Sequence, residues 1–286
     1  MSVATVLVRY CEIGLKSTPV RRKFETVLRD NMLAMLASDH VEALISYGDA
    51  RYYLESDDTE GCVASLKKVF GIASISVASM CSSDMDDICR TAAEYSLDRL
   101  SPGQSFAVRA RREGSHPYTS MDVGKEAGSA IFLANEEKGI SVDLHNPDKT
   151  FYIEIRNNKA YVFDEYINCP GGLPMGSQGK VICELSDDRR STVSAWTMMR
   201  RGCRVYVGGN GDTDTLRMYD PALRILTGEE SPNMMKEMMA KISGSGADGL
   251  TGYDYGNWEL PVFFPTVGMT DEEVDSLYSS IRSVTF

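Results

Sequence analysis

The first seventy-five residues alternate short apolar runs with helical stripes, and that order constrains the fold more than any other feature of the chain. Val3 to Tyr10 is an apolar run of strand length. Thr18-Pro19 offers a helix start, because proline is tolerated in a first turn. Phe24, Leu28, Met32, Met35 and Leu36 then recur at helical spacing to about residue 37. Val41–Tyr47 and Arg51–Glu55 read as strands, with a hairpin turn expected at Gly48-Asp49. A second stripe, Val63, Leu66, Val69 and Phe70, ends at Gly71, a residue suited to a helix terminus, and Ile72–Ala78 reads as a last strand. The order β-α-β-β-α-β is that of a ferredoxin-like unit. It hosts many functions and by itself names none.

In the middle segment a helix carrying Ile88, Ala92, Tyr95 and Leu97 leads through Ser101-Pro102-Gly103 into a strand, Ser105–Arg112. Alternate residues of a strand share a face, so Arg109 and Arg111 point together, opposite Val108 and Ala110, with Arg112 at the strand's end. Two guanidinium groups followed by His116, Tyr118, Thr119 and Ser120 suit phosphate contacts with extra donors. A solvated sheet edge with paired charges explains the same residues. Gly139–Leu144 and a hairpin of Thr150–Arg156 with Lys159–Phe163 complete an α/β module. In the last third, the strand Val181–Leu185, the helix Thr192–Arg201 and the strand Cys203–Val207 read as a β-α-β unit of a parallel sheet. Gly208–Asp212 reads as a loop. Pro232–Lys241 reads as a helix, with Met234, Met235, Met238 and Met239 filling core gaps.

Composition narrows the functional classes. The 286 residues (31.6 kDa) suffice for two or three domains of roughly 100–150 residues each. A 43% hydrophobic and 25% charged make-up excludes wholesale disorder. No run approaches the ~20 consecutive apolar residues of a membrane helix, and the first ten residues lack a basic region and cleavage site, so no membrane partner is expected and the cytoplasm is. The net charge of −11 counts against a broad nucleic-acid surface, so any RNA site must be a local patch. Two such patches exist, Arg9, Lys16, Arg21, Arg22 and Lys23 near the start and Arg109, Arg111 and Arg112 in the middle. The seven cysteines, Cys11, Cys62, Cys81, Cys89, Cys169, Cys183 and Cys203, never adopt Cys-x-x-Cys spacing, and the three histidines lie far apart. Neither a zinc site nor a disulfide framework is expected; buried thiols in a reducing compartment are.

Several motifs resemble one family. Arg9-Tyr10-Cys11-Glu12-Ile13-Gly14-Leu15-Lys16-Ser17, the strand Phe106–Arg112 with Gly114–Ser120, and Val142–Asp148 look like the N-terminal half of the tRNA 4-thiouridine synthetase (tRNA sulfurtransferase) family. Pro170–Lys180 resembles the linker before that family's catalytic domain. The resemblance spans residues 3 to about 203 and implies a mixed α/β chain of three parts. These are a ferredoxin-like domain at 1–75, a THUMP RNA-binding domain at 76–168, and a reduced parallel-sheet PP-loop ATP pyrophosphatase-like domain at 169–286. It also implies tRNA as partner, held by its acceptor stem and 3′ CCA end. The basic residues above would contact phosphates, while His116 and Tyr118 would engage unpaired nucleotides. A homodimer is expected by the same resemblance.

One motif departs from the family. Where its members carry Ser-Gly-Gly-x-Asp-Ser for ATP, this chain reads Ser186-Asp187-Asp188-Arg189-Arg190-Ser191. Glycines let a backbone approach a pyrophosphate, whereas two aspartates add bulk and negative charge facing a polyanion. At ~4 Å and an effective dielectric near ~20, each such contact costs several kcal/mol. The two arginines are candidate compensating phosphate ligands, in which case the loop is a different site. Ala247–Asp254 resembles the family's second nucleotide-site strand, and Pro261–Met269 a later strand-to-helix junction. Thr270 and Glu273 fit a capping box. The domain reads as trimmed after these motifs, with no sulfur-carrying cysteine identified and no appended rhodanese domain. The leading expectation is therefore a tRNA-binding protein without an ATP-activating loop, holding ATP and Mg²⁺ only if the altered loop still binds nucleotide. The alternatives are an active tRNA sulfurtransferase, alone or beside a separate modification enzyme, and a protein-interaction scaffold that binds no RNA.

Overall fold

The computed structural model describes residues 3–10, 12–250 and 260–286. In chain order, β1 (Val3–Arg9), α1 (Thr18–Ser38), the hairpin β2 (Leu44–Gly48) and β3 (Arg51–Glu55), α2 (Thr59–Leu66) and β4 (Ser74–Ser82) come first. Next are α3 (Met85–Ser96), β5 (Ser105–Glu113), α4 (Ser120–Ala134), β6 (Ser141–Val142), β7 (Lys149–Arg156), β8 (Lys159–Phe163) and β9 (Ile167–Asn168). The last part holds β10 (Lys180–Leu185), α5 (Arg189–Arg200), β11 (Arg204–Gly209), α6 (Thr213–Arg217) and β12 (Arg224–Ile225). It ends with α7 (Pro232–Lys236), β13 (Met238–Ile242), β14 (Val262–Phe263) and α8 (Asp271–Ser283). The chain divides into two compact units, one of residues 1–8, 42–60 and 75–167, the other of 9–41, 61–74 and 168–286.

The first unit is built on a nine-stranded mixed sheet of order β2-β3-β1-β4-β8-β7-β5-β6, with β9 beside β4. α3 and α4 bury Ile88, Ala92, Val123, Ala127 and Ile131 against Phe106, Phe151, Ile153, Ile155 and Val162. Register places Arg109 opposite Tyr152 and Arg111 opposite Glu154, while Ala110 and Arg112 pair with Ile153 and Ile155. Arg109 and Arg111 therefore share the face turned away from those helices, as the strand's period predicts. The hairpin turn falls on Asp49-Ala50 rather than Gly48-Asp49. Both residues have positive φ, 50° and 55°, the two-residue form whose twist matches flanking strands.

The second unit holds a five-stranded parallel sheet, order β12-β11-β10-β13-β14. Val181, Cys183, Val205, Val207, Ala240 and Ile242 pack with Val193, Ala195, Trp196 and Met199 of α5. Phe70 joins this core, 5.4 Å from the ring centroids of both Trp196 and Tyr219. The approach to β10 is pinned rather than loose. Gly71 N–H donates to Gly171 O, Gly171 N–H to Ile72 O, and Leu173 N–H to Arg200 O. Gly172 has φ +75°, and a Cβ there would lie 2.1 Å from Arg200 O, so only glycine fits.

Several expectations are corrected. α2 stops at Leu66, and Val69 and Phe70 lie in the turn beyond it. β4 starts at Ser74 and runs to Ser82, and only Ser141–Val142 of 139–144 forms a strand. Pro232–Lys241 is a five-residue helix followed by a strand. The alternation Met238 buried, Met239 exposed, Ala240 buried follows the strand period, so only Met238 of the four methionines is fully core. Ala247–Leu250 is a single 3₁₀ turn rather than a strand, and Thr251–Asp254 lie outside the described residues, as does Cys11. Helix α4, over Ser120–Ala134, is a further element of the first unit. Phe70→Ala should cost about 3–5 kcal/mol in chemical denaturation; a loss under about 1 kcal/mol would contradict its place in this core.

Candidate RNA interface and the capped loop

The basic residues of β5 reach solvent in two directions. Arg109 and Arg111 are on the strand's open face, and Arg109 Nη2 donates to Leu144 O at 2.5 Å. Arg112 sits on the other face, where its Nη1 donates to Gly114 O at 3.1 Å and stands 3.5 Å from His116 Nδ1. His116 Nε2 lies 2.5 Å from Asn157 O, so Nε2 carries the proton and Nδ1 is left to accept from Arg112. Asn157 Nδ2 in turn donates to the Asp49 carboxylate at 3.1 Å. His116 is thus anchored by its edge, with its ring stacked on Tyr118 at 5.3 Å.

Tyr118 donates its hydroxyl to Ser83 O, and burial pushes the phenol above its ordinary value. Thr119 is the N-cap of α4. Its hydroxyl and N–H both bond to the Asp122 carboxylate, and Asp122 N–H donates back to it. Those bonds hold the Asp122 carboxyl below the usual carboxylate range. Thr119 caps the helix end, and Ser120, half-buried, opens the helix.

In the second unit, Lys16, Arg22 and Lys23 are exposed around the start of α1, and Arg21 lies 3.8 Å from Glu25. Ser17 makes no side-chain cap bond there. A bare N-terminus carries partial positive charge, so the cluster attracts anions. Arg9 is different. It is only 7% exposed.

A groove of about 750 Å³ between α4, β5 and β6 has no counterpart in the sequence expectations. Arg109 stands at its rim with Val108, while Met121, Leu133, Val142 and Leu144 are 82%, 69%, 55% and 57% exposed. Its signal lies in the Thr119-x-x-Asp122 cap and the stripe Val123, Ala127, Ile131.

The Ser186–Ser191 loop joins β10 to α5, at the C-terminal edge of a parallel sheet where ligands usually bind. Here it is closed on itself. The Asp188 carboxylate accepts from Ser191 N–H at 2.8 Å and from Ser186 Oγ at 2.9 Å, and Ser186 N–H donates to Ser191 Oγ at 3.1 Å. Asp187 is exposed. The two arginines are paired within the chain. Arg190 donates to Thr266 O, Met269 O and the Asp271 carboxylate, and Arg189 to the Asp275 carboxylate at 2.8 Å. Asp188 thus occupies one backbone N–H and one hydroxyl that a phosphate would otherwise meet at this turn. Nor does β10 supply a reactive thiol: burial pushes Cys183 up to about 12. Among the described residues, no three His, Cys, Asp or Glu side chains are grouped to hold a metal ion, and no helix is long and apolar enough to cross a membrane.

Comparison with known proteins gives this arrangement a class. The ThiI ferredoxin-like domain profile matches residues 5–76, the THUMP domain profile 82–165, and the profile of the thiamine biosynthesis protein ThiI 176–208. The chain is a THUMP-domain protein with a ferredoxin-like start and a parallel α/β end. A Methanosarcina acetivorans protein named "Probable tRNA sulfurtransferase" is 40% identical over 203 residues, 70% of this chain and 49% of its own length. One of the same name from Halobacterium salinarum is 33% identical over 255 residues, 86% of this chain and 64% of its own. PH1313 of Pyrococcus horikoshii superposes with a TM-score of 0.82 at 26% identity, covering 97% of this chain and 99% of that one. A 4-thiouridine synthetase solved with RNA and ATP shares the fold, with a TM-score of 0.78 at 21% identity over 99% of this chain and 86% of that one. The chain belongs to the tRNA sulfurtransferase, or 4-thiouridine synthetase, family, and it spans about half the length of the Methanosarcina relative. The capping role separates the two aspartates. Asp188→Ala should cost about 1 kcal/mol in denaturant unfolding, and Asp187→Ala under about 0.5 kcal/mol; equal losses would contradict the cap.

Proposed function

We propose that this chain is a tRNA-binding protein that grips the acceptor stem and 3′ CCA end and activates no ATP at Ser186–Ser191. The observation that carries the reading is the position of Arg109. It stands between the arginine face of β5 and the apolar groove under α4, so cations for the phosphate chain adjoin a wall for unpaired bases. Single-stranded ends are recognised in this way, by backbone neutralisation together with stacking on apolar or aromatic groups. Arg111, Arg112, Lys16, Arg21, Arg22 and Lys23 add phosphate contacts in this reading. His116 and Tyr118, already stacked on each other, present an aromatic edge.

The names of the archaeal relatives and the RNA bound by the synthetase of the same fold support tRNA as the partner. The closed Asp188 loop supports a role in modification that is accessory, with ATP and Mg²⁺ excluded from that loop. Domain limits of 1–75, 76–168 and 169–286 belong to this proposal, as do a cytoplasmic setting and a second copy as partner. Replacing Arg109 and Arg111 together by alanine should weaken tRNA binding and flatten its dependence on salt by about one to two units of logarithmic slope. An affinity and slope unchanged from the parent in a filter-binding salt series would remove both residues from the interface.

A further inference from the structure

The second unit holds a cavity of about 230 Å³ that shares no residue with the basic patches or with the Ser186–Ser191 loop. Asn31 and Met35, one turn apart on α1, lie on one side of it, with Phe70 from the turn beyond α2 and Met175 from the approach to β10. Arg204, at the start of β11, and Asp220, just after α6, also line it. Met35, Phe70 and Met175 are 3%, 1% and 6% exposed, so the body of the cavity is apolar.

Its polar groups are short of partners. Asp220 is 2% exposed; its Oδ1 accepts from Ala222 N–H at 3.1 Å, while Oδ2 has no hydrogen-bond donor among the described residues. Arg204 Nη1 stands 3.6 Å from that oxygen, close enough for attraction and too far for a hydrogen bond. Among the described residues the Arg204 guanidinium has no other side-chain partner. Asn31 Nδ2 donates to Met175 O at 3.0 Å, and its Oδ1 accepts from no described residue. Burial pushes the Asp220 carboxyl above its ordinary value, and Arg204 offsets this only in part. Native structures keep few buried carboxylate oxygens without a donor.

A carboxylate and a guanidinium side by side match a ligand that carries both charges a few ångströms apart. A simple anion is repelled by Asp220 and a simple cation by Arg204. An ammonium group supplies the donors that Asp220 Oδ2 and Asn31 Oδ1 lack, and a carboxylate takes the donors of the guanidinium. The cavity is smaller than the roughly 300–1,000 Å³ of sites for drug-sized ligands, which excludes a nucleotide. We propose that it binds a free α-amino acid with an apolar side chain, of the size of leucine or methionine, its ammonium on Asp220 and its carboxylate on Arg204. The proposal is independent of the tRNA reading.

The test is calorimetric titration of the full chain with L-leucine and L-methionine. Isocaproate, which lacks leucine's ammonium, isoamylamine, which lacks its carboxylate, and glycine, which lacks its side chain, are titrated beside them. At least one of the two amino acids should bind with a submillimolar dissociation constant, and each truncated compound at least tenfold more weakly. These compounds test each charge on the unaltered chain, so the result does not depend on a variant's folding. Asp220→Asn should weaken the amino acid about tenfold and leave isocaproate no weaker than on the parent, which a merely structural Asp220 would not do. Failure of both amino acids to bind at millimolar concentration would overturn the proposal and leave the gap at Asp220 to water. Binding of isocaproate or isoamylamine as tight as that of leucine would overturn it equally.

Discussion

The carboxylate of Asp188, closed over the first turn of α5, is the contact on which the chemistry of the second unit turns. An uncapped helix end presents several unsatisfied N–H groups and a partial positive charge. Asp188 supplies the anion from within the chain and bonds Ser191 N–H and Ser186 Oγ. Behind that cap the rest of α5 packs into the core. Ser191, Thr192, Val193, Ser194, Ala195, Trp196 and Met199 are all buried, and Trp196 meets Phe70 and Tyr219 in the core. The neighbouring backbone comes so close that a Cβ on Gly244 would lie 2.7 Å from Ser191 Cα, which leaves no side chain between them.

The first unit obeys the opposite logic. The molecule as a whole carries a charge of −11, yet β5 turns two arginines to one exposed face and a third to the other. An acidic surround limits non-specific attraction to polyanions, so in the proposed function RNA binding concentrates where guanidinium groups and apolar surface coincide. The chain Asp49, Asn157, His116, Arg112 ties three turns of the unit together and holds His116 in one tautomer. These side chains are positioned before any partner arrives, and ordering cost on binding is correspondingly small.

Much of this is legible from residue order, and the losses have identifiable causes. Strand and helix periods locate the ferredoxin-like start, the β5 strand with its paired arginines, and the first β-α-β unit of the parallel sheet. The capping box at Thr270 and Glu273 forms as its spacing implies. Helix α4 hides in the sequence although its cap and its Val123, Ala127, Ile131 stripe are readable, because Gly124 and Gly128 interrupt the pattern. The methionine run misleads because apolar residues at 234, 235, 238 and 239 satisfy a helical spacing, while only the fold shows 238–242 alternating as a strand. Arg9 and Arg190 mark a harder limit. Burial of the first, and the pairing of the second with residues near 266–271, depend on contacts distant in sequence, which composition and spacing do not encode.

In the proposed function, closure of the loop by Asp188 separates RNA binding from nucleotide activation. Release of pyrophosphate from ATP, measured with purified chain in the presence of a folded tRNA it binds, tests this most directly. The expected result is no release above the rate without protein. Release that requires both the chain and tRNA, and that disappears on Ser186→Ala, would contradict it.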